Sequence, residues 1–284
     1  RADHRGILPL RECHILNGAV QELFEQARGV SMPGAERITL RGSERTGERL
    51  LLMEGRVMRP LPFHPSVPVV WQEDDEPPRP PDAAWHEEAA RQRWRIGAGA
   101  FFQVNTPQAE RLVEVARALA GALPEDVVLL DLYAGVGLFG LSLAEGMGRL
   151  FLVESDPAAV ATARQHATRH PNTTIIEGRS EEVMTRWDAF GPSPDLVLLD
   201  PPRAGCDPVV IEALGKHPVS TIIYVSCDPA TQARDIRQLG LQGFQLEIIQ
   251  PVDLFPQTYH IESVARLRRG NHAVGGPPPQ NEDR

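Results

Sequence analysis

Three short strings hold residues that could do chemistry: DPPRAG at 200–205, SCDP at 226–229 and YHIE at 259–262. They carry a thiol, Cys227, and two carboxylates, Asp200 and Glu262, with Arg203 and His260 beside them. A thiolate is a strong nucleophile toward carbon, and a nearby carboxylate can take a proton. A second set lies upstream. DLYAGVG at 131–137 places Tyr133, Gly135 and Gly137 behind an aspartate, and Glu154 ends the run RLFLVE. The glycines permit a tight turn and close approach of a ligand. A carboxylate ending the next strand is placed to accept from the two hydroxyls of a ribose. The loop reads D-x-Y-x-G-x-G rather than G-x-G-x-x-G, and a carboxylate ahead of the glycines suits the cationic end of S-adenosylmethionine (SAM) better than a pyrophosphate.

Such strings need a scaffold that brings them to one edge. Apolar runs VVLLD (127–131), RLFLVE (149–154), TTIIE (173–177), DLVLLD (195–200) and TIIYVS (221–226) alternate with amphipathic stretches of helical period. That rhythm marks a parallel sheet covered on both faces, to which FQLEIIQPVDLF and HIESVARLRR add two strands. Ligands of open α/β sheets sit outside the carboxyl ends of the strands. Asp200 ends the fourth strand, Cys227 follows the fifth and Glu262 opens the last. Upstream, RWRIGAGAFFQVN reads as a strand leading into a helix opened by Asn105, Thr106 and Pro107, while Asp82 to Arg93 is compatible with a helix. ERITLRG and ERLLLMEG alternate around a turn at Ser43 to Gly47, as a hairpin does. Leu16, Val20, Leu23, Phe24 and Ala27 fall at helical spacing. From about 57 to 82, prolines and an acidic run forbid a long helix or a central strand, and the stretch reads as a linker. The expected organisation is a small α/β domain over 1–93 that includes this linker, a catalytic domain over 94–270, and a flexible tail over 271–284.

Composition bounds these readings. With 284 residues, 42% of them hydrophobic, the chain can bury a sizeable core. A net charge of −9 gives no electrostatic support for a nucleic-acid partner. The clusters Arg91, Arg93, Arg95 and Arg266, Arg268, Arg269 are either local basic patches or ordinary solvated faces. No apolar run reaches membrane-spanning length and RADHRGILPL lacks a signal-peptide layout, so a cytoplasmic monomer without membrane contact is expected. Three cysteines at unrelated spacings argue against a disulfide framework.

Taken in order, GAFFQVN (99–105), DLYAGVG, the Glu154 strand, DPPRAG, SCDP and HIES resemble the RNA uracil-5-methyltransferase family, which makes 5-methyluridine in tRNA or ribosomal RNA. The resemblance spans about Arg95 to Arg268. It implies a Rossmann-like class I SAM-dependent methyltransferase domain with RNA as partner, in which Cys227 is the nucleophile that adds to carbon 6 of uracil and Glu262 the proton acceptor. It also implies SAM contacts from Gln103, Tyr133, Gly135, Gly137, Glu154 and Asp200. Arg203 and His260 would hold uracil or phosphate, or else form ordinary ion pairs. Leu138 departs from the polar residue common in relatives. Cys206, in GCDP, imitates the SCDP string but follows the proline loop, and is read as packing. Cys13 resembles the last cysteine of an iron–sulfur site found in many relatives, a lone remnant around which no metal site assembles in this chain. Alternatives from other classes are a SAM-dependent enzyme acting on another nucleic-acid position, and an RNA-binding protein with reduced or lost catalysis.

Overall fold

The computed structural model describes residues 11–57, 61, 66–73, 76, 78–144 and 148–270. The N-terminal decapeptide, parts of the proline-rich stretch and the expected tail lie outside the described residues. The chain forms two compact units, one of residues 1–88 and 93–99, the other of 89–92 and 100–284.

In the first unit, helix α1 (Gly18–Ala27) is capped by Asn17, whose side chain accepts from Val20 N, and it buries Val20 and Leu23. Strands β1 (Arg37–Gly42) and β2 (Arg49–Glu54) pair antiparallel, as the alternation predicts, with Gly42 opposite Arg49. The linker reading needs correction. Val69–Gln72 forms a strand, β3, parallel to β2 with Leu51 opposite Val69. It lies at the edge of its sheet, where flanking prolines are tolerated, and Pro68 contributes through its carbonyl, which accepts from Leu51 N.

The helix-compatible stretch 82–93 is also strand. β4 (Ala84–Ala89) and β5 (Gln92–Gly97) pair with each other. Burial alternates at Trp85, Glu87 and Ala89, a period of two, and Ala90 and Arg91 both adopt positive φ (50° and 64°), as a two-residue hairpin turn requires. Composition permitted a helix; the left-handed pair excludes it.

The second unit holds the Rossmann-like α/β fold expected from the strand rhythm. Its elements run α2 (Thr106–Ala120), β6 (Val128–Leu132), α3 (Leu138–Leu143), β7 (Arg149–Glu154), α4 (Pro157–Ala167), β8 (Thr173–Glu177), α5 (Ser180–Met184), β9 (Leu196–Leu199), α6 (Pro208–Lys216), β10 (Thr221–Ser226), α7 (Pro229–Leu241), β11 (Phe244–Val252) and β12 (Glu262–Arg269). The sheet order is β11-β12-β10-β9-β6-β7-β8. Strands β6 to β10 pair in parallel, whereas β12 is antiparallel to both β10 and β11. The chain therefore winds outward from β6 in both directions, and the crevice between β6 and β9 is the switch point where such sheets bind ligands. Leu130, Leu132, Val197, Leu199, Ile222, Tyr224 and Ala265 form the middle of the core, with Phe151 and Trp187 packed edge to face at 5.2 Å.

Helix starts are set by one device used three times. Asp156, Asp207 and Asp228 cap α4, α6 and α7 by accepting from Ala159 N, Val209 N and Thr231 N, and a proline opens each helix. Asn105 caps α2 in the same way. These caps end each strand-to-helix loop at a fixed point, so the loops at the sheet edge are held at both ends.

Candidate active site

The upstream half of the site is built on the turn after β6. Tyr133, Gly135 and Gly137 all adopt positive φ (61°, 55° and 89°). A tyrosine there carries strain of about 1–3 kcal/mol, the kind held at ligand sites. A Cβ on Gly137 would meet Leu141 at 2.8 Å and Leu152 at 3.1 Å, so the turn must pack closely. Glu154, ending β7, accepts from Gly135 N on Oε2 (2.8 Å) and from Ser155 N and Asp156 N on Oε1 (2.7 Å each). Its carboxylate thus braces the glycine turn against the start of α4. Asp131, inside β6 and 1% exposed, accepts from Gly140 N at 2.9 Å. Burial, with the charge of Glu154 adding, pushes its carboxyl up to about 7. The hydroxyl of Tyr133 accepts from Asp207 N at 3.4 Å, which turns the ring toward the 200–207 loop. Leu138 is buried.

The downstream half sits on β9, β10 and β12. Ser226 pairs with Ser263, so Cys227 and Glu262 follow at neighbouring strand ends, and the charge of Glu262 reaches Cys227. Gln232, on the inward face of α7, holds the two strand ends together. Its Nε2 donates to Tyr224 O (3.0 Å) and Ser263 O (3.4 Å), and its Oε1 accepts from Ser263 Oγ (2.7 Å). Burial raises the Cys227 thiol above its ordinary value; Glu262 and Asp200 push the same way and Arg203 opposes them. Burial pushes Glu262 up to about 7 against the pull of Arg203. Asp200 is raised well above the usual carboxylate range by burial and then by the charges of Glu262 and Asp131. The site alone therefore favours the thiol over the thiolate, and ionisation falls to what binds there.

Arg203 and His260 meet, Nη2 to Nδ1, at 3.1 Å, and the charge of Arg203 reaches Cys227 and Glu262. Cys227, Glu262, Asp200, Arg203 and His260 thus form one group, linked through Asp200 and Asp131 to the turn that holds Glu154. Gln103 lies half-buried in the loop before α2. Asn105, two residues on, donates to Leu254 O at 2.9 Å and ties that loop to the segment leading to Glu262. Cys206 is buried, its thiol raised above the usual range mainly by burial. Cys13 is half-exposed, and among the described residues no group of histidine, cysteine and carboxylate side chains could hold a metal.

One buried group was not foreseen. Asp235, 1% exposed, accepts from Tyr224 Oη (2.6 Å), Cys206 N (2.8 Å) and Arg234 Nε (2.9 Å), while Arg234 donates to Ala204 O (2.7 Å). Gly205 has φ of 85°, and a Cβ there would lie 2.4 Å from the Asp235 carboxylate. The loop carrying Arg203 is thereby clamped onto α7, the helix that begins beside Cys227. Asp235→Ala leaves two buried donors unsatisfied, so urea unfolding should report a loss of about 3 kcal/mol; a loss below about 1 kcal/mol would contradict the clamp. The inward face of α7 reads Gln232, Asp235, Leu239, and two polar residues on a buried helical stripe were the available signal.

The family model described as tRNA (Uracil-5-)-methyltransferase matches residues 87–270. An uncharacterized RNA methyltransferase, YljE, of Lactococcus lactis subsp. lactis (strain IL1403) is 44% identical over 178 residues, 62% of this chain and 38% of the relative. An uncharacterized RNA methyltransferase of Staphylococcus aureus (strain MSSA476) is 42% identical over 174 residues, 61% of this chain and 38% of its own. The chain thus spans 38% of the length of these curated relatives. Among solved structures, Pyrococcus abyssi tRNA (uracil-54, C5)-methyltransferase in complex with S-adenosyl-L-homocysteine superposes with a TM-score of 0.67 at 28% identity, over 81% of this chain and 59% of that one. A SAM-dependent methyltransferase from Agrobacterium tumefaciens shares the fold at a TM-score of 0.52 and 14% identity, over 84% and 92% of the two chains.

Proposed function

This chain belongs to the tRNA (uracil-5-)-methyltransferase family, and from that premise we propose that it methylates carbon 5 of a uridine in tRNA or ribosomal RNA through a covalent bond between Cys227 and carbon 6 of the base. The observation that carries the reading is that β10 and β12 pair as far as Ser226 and Ser263, and that at the strand ends just beyond, the Glu262 carboxyl, pushed up to about 7 by burial, raises the Cys227 thiol while the Arg203 charge is felt by both.

The residues fit SAM. Asp131, Asp200 and Glu262 are all raised, in the first two partly by neighbouring carboxylates, so the site holds more negative charge than it can comfortably ionise, and the sulfonium and ammonium groups of SAM would relieve that excess. Glu154 Oε2, occupied by Gly135 N, can also accept from a ribose hydroxyl, since a carboxylate oxygen takes two partners. We assign Gln103, Tyr133, Gly135, Gly137, Glu154 and Asp200 to holding the donor. When bound, SAM supplies an electrophilic methyl group.

Carbon 5 of uracil is too weakly nucleophilic to take that methyl unaided. As Cys227 Sγ bonds to carbon 6, the carbon 5–carbon 6 π pair moves into an enolate that makes carbon 5 nucleophilic. Carbon 5 would take the methyl as the methyl–sulfur bond breaks, leaving S-adenosylhomocysteine, and Glu262 then takes the carbon 5 proton. The freed pair restores the double bond, and the bond from carbon 6 to Sγ breaks to return the thiolate. Before Sγ attacks, the Cys227 thiol gives up its proton to solvent, a step that burial and the neighbouring carboxylates oppose and that the Arg203 charge favours.

With Glu262 as base, release of 5-methyluridine from the preformed methylated adduct should fall about tenfold per unit as the pH drops below about 7, because protonation removes the acceptor. A rate flat between about pH 5 and 7 would argue against this assignment.

A further inference from the structure

Tyr259 is 81% exposed, and no step of the proposed chemistry uses it. Its ring lies against His260 with centroids 4.1 Å apart, and Phe255 approaches His260 edge-on at 6.0 Å. The segment is held by its own turn: Thr258 Oγ1 donates to Phe255 O at 2.7 Å and accepts from His260 N at 3.2 Å. His260 in turn meets Arg203. An aromatic side chain is therefore fixed in solvent three residues before Glu262, within one contact of the group whose charge reaches Cys227.

We propose that Tyr259 is a stacking platform for the unpaired nucleobase next to the target uridine. The inference rests on the RNA reading above and extends it to a second base. A base whose carbon 6 must be reached from its face has to leave its stack, and the neighbour it leaves behind loses a stacking partner. The Tyr259 ring replaces that partner, braced from behind by His260 and Phe255. Stacking needs only the π-face of the base, so the subsite accepts any base and does not depend on the overall charge, which at −9 disfavours RNA. His260 and Arg203 lie on the side toward Cys227.

The test is a single-stranded oligouridine RNA carrying 2-aminopurine beside one uridine, titrated with the whole chain and with Tyr259→Ala and Tyr259→Phe. The expected result is a quench on binding by the parent chain, affinity weakened about 5- to 100-fold in Tyr259→Ala by the same factor at low and high salt, and Tyr259→Phe within about threefold of the parent. S-adenosylhomocysteine affinity, measured alongside, should be unchanged in both. Equal affinity and quench in Tyr259→Ala, or no quench with the parent chain, overturns the subsite. Because binding is read without turnover, a parent chain that shows the Tyr259-dependent quench but makes no 5-methyluridine supports the subsite while removing the proposed activity.

Discussion

Cys227→Ala should abolish methyl transfer to RNA, by about 10⁴-fold or more, while SAM affinity stays within about twofold. The two effects separate because the thiol acts on the base and not on the donor. Burial, then the neighbouring carboxylates, raise the Cys227 thiol and Arg203 lowers it. Removing Sγ takes away the bond to carbon 6 that makes carbon 5 nucleophilic, and nothing else in the group can substitute. Cys206, the other cysteine of the second unit, is buried, and its thiol is held neutral beside Asp235. Labelled SAM and unmodified RNA measure the first effect, and equilibrium dialysis of SAM the second. Residual transfer within tenfold of the parent would end the covalent account.

Glu262→Gln should have the opposite signature, an accumulated intermediate. Glutamine keeps the shape but cannot accept the carbon 5 proton, so the bond from carbon 6 to Sγ cannot break. Turnover should drop about 10²- to 10⁴-fold, and a SAM-dependent protein–RNA species should migrate slowly on a denaturing gel. Adduct formation should not slow in parallel. The Glu262 carboxylate raises the Cys227 thiol, so its neutral replacement makes the thiolate easier to form. A variant that is inactive and shows no adduct would place Glu262 before bond formation, and one that turns over normally would remove its role.

How far the molecule was legible in its sequence depends on distance along the chain. The strands of the second unit announce themselves as apolar runs with chemistry-bearing ends, because a strand buried on both faces needs near-continuous apolar residues. The start of α2 at Asn105, Thr106 and Pro107 was equally visible as cap and first turn. The hairpin at 84–97 was not, since AWHEEA suits a helix in composition and its turn depends on Ala90 and Arg91 accepting positive φ without a glycine. β3 was hidden for a related reason: prolines exclude a central strand, but not an edge strand beside β2. In the site, the strings mark which residues are candidates, whereas the nearness of the strand ends that carry Cys227 and Glu262 depends on β12 running antiparallel to β10, a long-range pairing no local pattern encodes. The state of the thiol depends on long-range neighbours in the same way. Its neighbours Asp200 and Glu262 lie 27 and 35 residues away in sequence, and their combined charge is a property of the folded edge. Asp235 and Gln232 show the converse, being polar residues on the inward face of α7 that join segments far apart.

The most direct test of the central claim is methyl transfer from labelled SAM to unmodified tRNA and ribosomal RNA, followed by nucleoside analysis, with Cys227→Ala run in parallel. Label is expected in 5-methyluridine with the parent chain and none with the variant. Label in any other nucleoside, or 5-methyluridine formed equally by Cys227→Ala, would contradict it.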